Sequence, residues 1–297
     1  PETLFWGVTH PGEDKMSELL MSQLAVTNMV YMHFSFDYFL DSMDRLGVHR
    51  LELYGCSHHF HMYDGDPNMA ANMRKKLSAR GFSVVSLMPE ENTYAINIAA
   101  PEDNIRNKTV EQYKKFIEAA VELECPQMLL CPGRPYWDRP LSEGYKHGRD
   151  SVEKLTRHAE KYGITLMYEN LNERESPLAT TRFDQFRVVK DIDSPNLKCC
   201  VDTVPVAYTG ETLEQYFEVL GDKLAHIHLN DGRPFGHMKW GDGFQNLDEH
   251  LNAMRKYNYK GTITMEMANG AYRLDPEPHY RANIETLRKH FDGGELV

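Results

Sequence analysis

Four side chains that bind divalent cations or move protons stand where short apolar runs end. Ile164-Thr165-Leu166-Met167-Tyr168 runs into Glu169, and Leu197-Lys198-Cys199-Cys200-Val201 runs into Asp202. A third run closes on His226-Ile227-His228, and Thr262-Ile263-Thr264-Met265 runs into Glu266. A buried carboxylate at a strand end is costly unless it is paired or coordinated, and three that converge would repel one another. A divalent cation removes that repulsion. Three carboxylates with one imidazole make an oxygen-rich donor set that suits Mn²⁺, with Mg²⁺ or Co²⁺ as alternatives, better than structural zinc, which prefers thiolates. Alternation along a strand puts His226 and His228 on one side. His228 is nearer the strand end and is the better ligand, so His226 lies behind it or faces a substrate. Taken singly, each residue fits an ordinary ion pair or a packed ring. Their recurrence on four successive strands is what points to a metal site.

The elements that must position these groups alternate. Strands are expected at Leu24–Tyr31, Arg50–Tyr54, Ser83–Met88, Gln127–Cys131, Thr165–Tyr168, Leu197–Val201, Leu224–His228 and Thr262–Met265. Several are nearly continuous apolar runs, as parallel strands covered on both faces require. Helices are expected at Phe36–Leu46, Asn68–Arg80, Asn107–Leu123, Gly144–Tyr162, Thr181–Ile192, Glu211–Leu220, Leu247–Tyr257 and Pro278–Phe291. A glycine just before a strand recurs at Gly47, Gly81, Gly163 and Gly261, which suits the helix-to-strand turn at the bottom of a barrel. Eight βα units predict an α/β fold of the (β/α)₈ TIM-barrel type, with the strand-end groups gathered at its C-terminal mouth. No G-x-G-x-x-G follows any strand, so no nucleotide cofactor is expected. Residues 1–22 read as a lead-in or arm, and 23–297 as one barrel domain.

Composition narrows the function classes. The 297 residues are 41% hydrophobic and 26% charged, values of a globular chain with a sizeable core. The net charge of −11 argues against a nucleic-acid or anionic-membrane partner but permits a neutral sugar and a cation. Five cysteines occur without a C-x-x-C pair. Reduced thiols, the absence of a visible secretory signal and the lack of a long apolar run lead to the expectation of a cytoplasmic location.

The segments Met167-Tyr168-Glu169-Asn170-Leu171, Cys200-Val201-Asp202, Gly221-Asp222-Lys223-Leu224-Ala225-His226-Ile227-His228 and Met265-Glu266-Met267, with Gly241-Asp242-Gly243, resemble the xylose isomerase-like sugar isomerases and epimerases. Within them the ketose 3-epimerases, fructoselysine 3-epimerase above all, are most similar, over about Leu24 to Phe291. The resemblance implies Glu169, Asp202, His228 and Glu266 as metal ligands, Glu169 and Glu266 as an acid/base pair, and Glu175 as a substrate contact. It implies proton abstraction beside a ketose carbonyl through an enediolate, and a homo-oligomer. The chemistry is coherent: a cation polarises the carbonyl, one carboxylate removes the α-proton and another returns one on the opposite face.

Two positions depart from the free-ketose enzymes. Pro205 stands where a substrate-contacting His is expected, and Pro234 where an Arg is, with Arg233 beside it. The expected top loops are rich in rings: His58, His59, Phe60, His61 and Tyr63, then Tyr136 and Trp137, then Phe235, His237 and Trp240. His226, Arg233, Trp137 and His59 are therefore candidate substrate contacts. The same barrel family includes the catalytic subunit of C-glycoside deglycosidases, which the chain also resembles. That alternative implies cleavage of the C–C bond of a 3-keto C-glycoside, a small partner subunit, and His147 as a base beside the metal.

Overall fold

The computed structural model describes residues 17–56, 58–61, 66–91 and 96–293. Eight parallel strands close into a barrel in chain order: β1 (Leu24–Thr27), β2 (Arg50–Gly55), β3 (Ser83–Pro89), β4 (Gln127–Leu130), β5 (Thr165–Glu169), β6 (Leu197–Asp202), β7 (Leu224–His228) and β8 (Thr262–Met265), which pairs back onto β1. The helices are α1 (Phe36–Leu46), α2 (Met69–Ser78), α3 (Asp103–Glu122), α4 (Leu141–Glu160), α5 (Arg182–Ile192), α6 (Thr203–Thr209), α7 (Leu213–Leu220), α8 (Leu247–Lys256) and α9 (Glu277–Leu287). This is the expected TIM barrel. No described helix is long and apolar enough to cross a membrane.

Local chemistry explains the boundaries. Ser35 accepts the Tyr38 N–H and starts α1, and Gly47, at φ 67°, ends it in a conformation that costs glycine least. Gly261 is there for a different reason than the expected turn: a Cβ on it would lie 2.3 Å from the Ala225 carbonyl, so the chains can pass only without a side chain.

Two expectations are corrected. β1 stops at Thr27 rather than running to Tyr31, because Thr27 Oγ1 accepts the Met29 N–H at 3.0 Å and Met29–Tyr31 form a 3-10 turn. The helix α6 is additional to the eight helices expected; Asp202 Oδ1 accepts the Val204 N–H at 2.9 Å and caps it. Of the lead-in, residues 1–16 lie outside the described residues. Ser17 bonds to the Arg255 carbonyl at 2.9 Å, and Leu20 bridges to Asp292.

The main apolar core fills the shell between strands and helices, with Phe39, Phe116, Tyr216 and Tyr280 among its fully buried rings. A smaller cluster, comprising Tyr54, Cys56, Met88, Leu129, Met167 and Cys200, packs together on strands or at their ends. The remaining strand positions are strongly polar for buried sites: Glu52, Ser86, His226, His228 and Thr264 are all fully buried. Such groups persist only when each finds a partner.

Candidate functional site

The strand pairing places the site. Asp202 on β6 is level with His228 on β7, and His228 is level with Thr264 on β8, two residues before Glu266. Glu169 ends β5, level with Cys200. Four residues from four strands therefore meet at one end of the barrel.

His228 Nδ1 is 2.7 Å from Glu169 Oε1 and 3.0 Å from Glu266 Oε2. Despite that proximity, Nδ1 and Glu266 Oε2 are buried without a hydrogen-bond partner. Buried orphans this close are what a shared cation would satisfy. Ligand atoms of Glu169, His228 and Glu266 all lie within 4.8 Å of one another, as do those of Asp202, His237 and Glu266. Glu266 belongs to both groups. Between them the two groups offer three carboxylates and two imidazoles, donor types that a divalent cation of borderline hardness accepts.

Asp202 divides its oxygens between two tasks. Oδ1 caps α6, while Oδ2 lies 2.8 Å from His237 Nε2. Asn170 holds the Asp202 backbone, accepting its N–H at 2.8 Å and donating to its carbonyl at 3.2 Å. Thr203 Oγ1 ties the next residue to the carbonyls of His228 and Asn230. These buried straps lock β6 to its neighbours and fix the spacing of Asp202 and His228.

His237 comes from the loop after β7, and Asp231 shapes that loop. The Asp231 carboxylate accepts the backbone N–H groups of Gly232, Gly241, Gly243 and Gln245 at 2.8–3.1 Å. A two-way backbone bridge between Asp231 and Met238 closes the arch beside His237.

The electrostatics fit a crowded acid site. Burial, then the like charges of Glu266 and Asp202, push Glu169 up to about 8 against the opposing pull of His228. Burial also raises Glu175. For His237, burial acts downward, but Glu266 and Asp202 outweigh it and push the imidazole up to about 10. For His228, burial likewise acts downward, but Cys200, Glu266, Glu52 and Glu169 outweigh it and hold the imidazole well above its ordinary value.

The other residues singled out by sequence fall in different places. Glu175 bonds to Asn172 and is near enough to feel the charges of His237, Asp202 and Glu266. It also lines a small cavity with Glu91, Cys131 and Arg134. His226 is fully buried under the ligand set, with Nδ1 3.1 Å from Gln127 Nε2 and Nε2 2.9 Å from Glu52 Oε2. His59 is buried as a loop anchor: Asn28 Nδ2 donates to its Nδ1 at 2.7 Å, and its Nε2 faces the Phe34 carbonyl at 2.8 Å. Trp137 is 74% exposed. Arg233 is exposed and lies over Phe244, 5.6 Å from the ring centre. His147 sits on α4 with Glu143 3.9 Å away and joins no candidate ligand group among the described residues. Residues 57 and 62–65 of the aromatic second loop lie outside the described residues.

Two residues of the site carry little signal in the sequence. Glu52 looks like an ordinary charged residue, although a Glu inside Leu51-Glu52-Leu53-Tyr54 is unusual for a strand covered on both faces. His237 is one ring among several in its loop.

A family profile described as a xylose isomerase-like TIM barrel matches residues 40–290. The chain belongs to that family. Among curated relatives of this xylose isomerase-like barrel, fructoselysine 3-epimerase from Shigella flexneri is 25% identical over 249 residues, 82% of this chain and 88% of the relative. D-psicose 3-epimerase from Agrobacterium fabrum is 22% identical over 77% of this chain and 78% of the relative. Among solved structures, a D-psicose 3-epimerase with D-fructose superposes with a TM-score of 0.76 at 18% identity, covering 91% of this chain and all of that one; at that identity the likeness speaks for the fold.

Proposed function

We propose that the chain is a divalent-metal-dependent sugar epimerase or isomerase that exchanges a proton beside a ketose carbonyl. The observation that carries the reading is the orphaned pair at the mouth, His228 Nδ1 and Glu266 Oε2, 3.0 Å apart inside a ring of carboxylates. Family membership supports it, as do the relatives named as ketose 3-epimerases.

Glu169, Asp202, His228 and Glu266 would hold the cation, with His237 beside Asp202 as a fifth donor. Mn²⁺ fits the donor set best, with Mg²⁺ or Co²⁺ as substitutes. When bound, the cation supplies Lewis acidity at the carbonyl and the adjacent hydroxyl.

The chain's own residues do the rest. Burial works against the charged form of Glu169, a bound cation would oppose that shift, and Glu169 is one of the two carboxylates that exchange the proton. Glu266 faces it from β8, so one carboxylate removes the C3 proton and the other delivers one to the opposite face of the enediolate. Glu175 hydrogen-bonds a substrate hydroxyl beside this pair. Burial of Glu169 and Glu266 keeps bulk water from quenching the carbanion. Trp137, Arg233 and His147, which stand on the β4–α4 and β7–α8 connections and on α4, would meet only a substrate extending beyond one sugar ring. His226 acts behind His228 rather than on the substrate.

The test is to incubate the Mn²⁺-loaded protein in D₂O with D-fructose, D-psicose, D-tagatose and fructoselysine, and to read C3 by NMR. Deuterium at C3 of at least one of them, with appearance of its epimer, is the expected result. No exchange into any ketose, together with aglycone release from a 3-keto C-glycoside, would replace this reading with the deglycosidase one.

A further inference from the structure

Beneath the ligand set lies a polar layer that the proposed chemistry does not use directly. Its centre is Glu52, in the middle of β2 and fully buried. A carboxylate there survives only if donors surround it. Ser86 Oγ donates to Oε1 at 3.3 Å, His226 Nε2 lies 2.9 Å from Oε2, and His228 Nε2 lies 3.2 Å from both oxygens.

The ring of His228 therefore stands between two acidic surroundings. Nε2 meets Glu52, and Nδ1 meets Glu169 and Glu266. A neutral imidazole carries one hydrogen, and its other nitrogen offers the lone pair. With a cation at the mouth the Nδ1 lone pair is committed to it, and the single hydrogen then sits on Nε2, where the Glu52 carboxylate accepts it. With the hydrogen on Nδ1 instead, the Nε2 lone pair would face two carboxylate oxygens and no ligand atom would face the mouth.

We propose that Glu52 is a positioning residue that fixes His228 as the Nε2–H tautomer and so aims its Nδ1 lone pair at the cation site. The inference rests on the cation reading above. His226 braces the same carboxylate from the other side. The Gln127 amide donates to His226 Nδ1, so the hydrogen of that ring sits on Nε2, facing Glu52. Thr264 Oγ1, 3.0 Å from His226 Nε2, adds a further contact. Cys200, His226 and His228 also have ligand atoms within 4.8 Å of one another. Both nitrogens of His226 are already engaged, however, so this layer is a hydrogen-bonded brace and not a second cation site. Carboxylate–histidine–metal chains of this kind orient a ligand ring and raise its basicity.

The test uses the full chain with ¹⁵N-labelled histidine, and compares wild type, Glu52→Gln and Ser86→Ala. Glu52→Gln keeps the shape but offers an amide hydrogen to Nε2. Isothermal titration with Mn²⁺ should show an affinity loss of roughly 10- to 100-fold in Glu52→Gln, with an unchanged circular dichroism spectrum. Ser86→Ala, which leaves the carboxylate in place, should lose far less. Long-range ¹H–¹⁵N spectra of Mg²⁺-loaded protein, with His228 assigned from its loss in His228→Gln, should show Nε2 protonated in wild type. In Glu52→Gln the mixture should shift toward the Nδ1–H form. A folded Glu52→Gln protein with near wild-type Mn²⁺ affinity and an unchanged His228 tautomer overturns the proposal, as does a stoichiometry of two Mn²⁺ per chain falling to one. If wild type binds no Mn²⁺, the cation reading fails separately. The tautomer spectrum, taken at alkaline pH without metal, then decides the role of Glu52 alone.

Discussion

Gly243 donates its backbone N–H to the Asp231 carboxylate at 2.8 Å, and a Cβ on that glycine would lie only 2.0 Å from Asp231 Oδ1. The two residues therefore specify each other. The carboxylate needs the bare backbone to approach, and the backbone donors need the carboxylate. What depends on them is the loop that delivers His237 to Asp202. Gly243→Ala forces that loop away from Asp231, and Asp231→Ala leaves four backbone donors without their acceptor. Each should destabilise the fold by about 1–3 kcal/mol or more, the cost of breaking a buried polar network. Denaturant unfolding measures that cost. Mn²⁺ affinity should fall in parallel, because His237 moves. Wild-type affinity in a folded Asp231→Ala protein would show that His237 does not belong to the donor set.

Glu169 and Glu266 are the two carboxylates assigned to the proton exchange, with one oxygen of each 2.7 and 3.0 Å from His228 Nδ1. Glu169→Gln and Glu266→Gln keep the side-chain volume but cannot exchange a proton. Each should slow epimerisation at C3 on the order of 10³-fold. The double variant should epimerise little more slowly than either single one, because removal needs one group and return needs the other. Epimer formation measured by NMR on the same ketose decides this. A single variant with near wild-type turnover would remove that residue from the acid/base pair.

A cation that binds only the folded site stabilises it. At a free concentration a hundred times its dissociation constant the gain is about 2.7 kcal/mol. Thermal unfolding with and without Mn²⁺ should show that shift in wild type and a much smaller one in Asp202→Ala. Chelation should reverse it. An equal Mn²⁺-induced shift in Asp202→Ala would place the cation elsewhere.

His250 gives a pH prediction independent of the metal. Burial pushes its pKa down to about 4 from the ordinary 6.5. Its Nε2 is 2.8 Å from Oε1 of the Gln245 side-chain amide, and its ring lies 5.7 Å from that of Trp240. Between pH 6.5 and 4 the unfolded chain binds a proton that the folded one refuses, so this term is fully present above about 6.5 and is lost as the pH falls through that window. The loss is roughly 3 kcal/mol at most, by linkage. In His250→Gln the acid limb of stability, measured by urea unfolding at a series of pH values, should be shallower by that amount. Identical slopes would contradict the burial of a neutral ring.

Much of this architecture is legible in the sequence because parallel strands covered on both faces are apolar throughout, so a carboxylate or imidazole closing such a run stands out. Glu169, Asp202, His228 and Glu266 were visible for that reason. The parts that were not visible depend on side-chain geometry rather than pattern. Asn28–Tyr31 continues the apolar run of β1, yet the chain turns there because Asn28 accepts the Tyr54 N–H at 2.7 Å and Thr27 bonds the Met29 N–H. The β-branched, proline-containing stretch Thr203–Thr209 does not read as a helix, and forms one because Asp202 caps it. Glu52 and His237 sit 176 and 9 positions from His228, and neither distance carries a periodic signal. Only closure of the barrel brings Glu52 under His228, and only the Asp231 loop brings His237 over Asp202.

The measurement that tests the site most directly is an anomalous diffraction map at the manganese edge from crystals soaked in Mn²⁺. The account predicts one strong peak at the barrel mouth, about 2.0–2.3 Å from carboxylate oxygens of Glu169, Asp202 and Glu266 and from Nδ1 of His228. A well-ordered site with no peak there, or a peak bound through other residues, would contradict it.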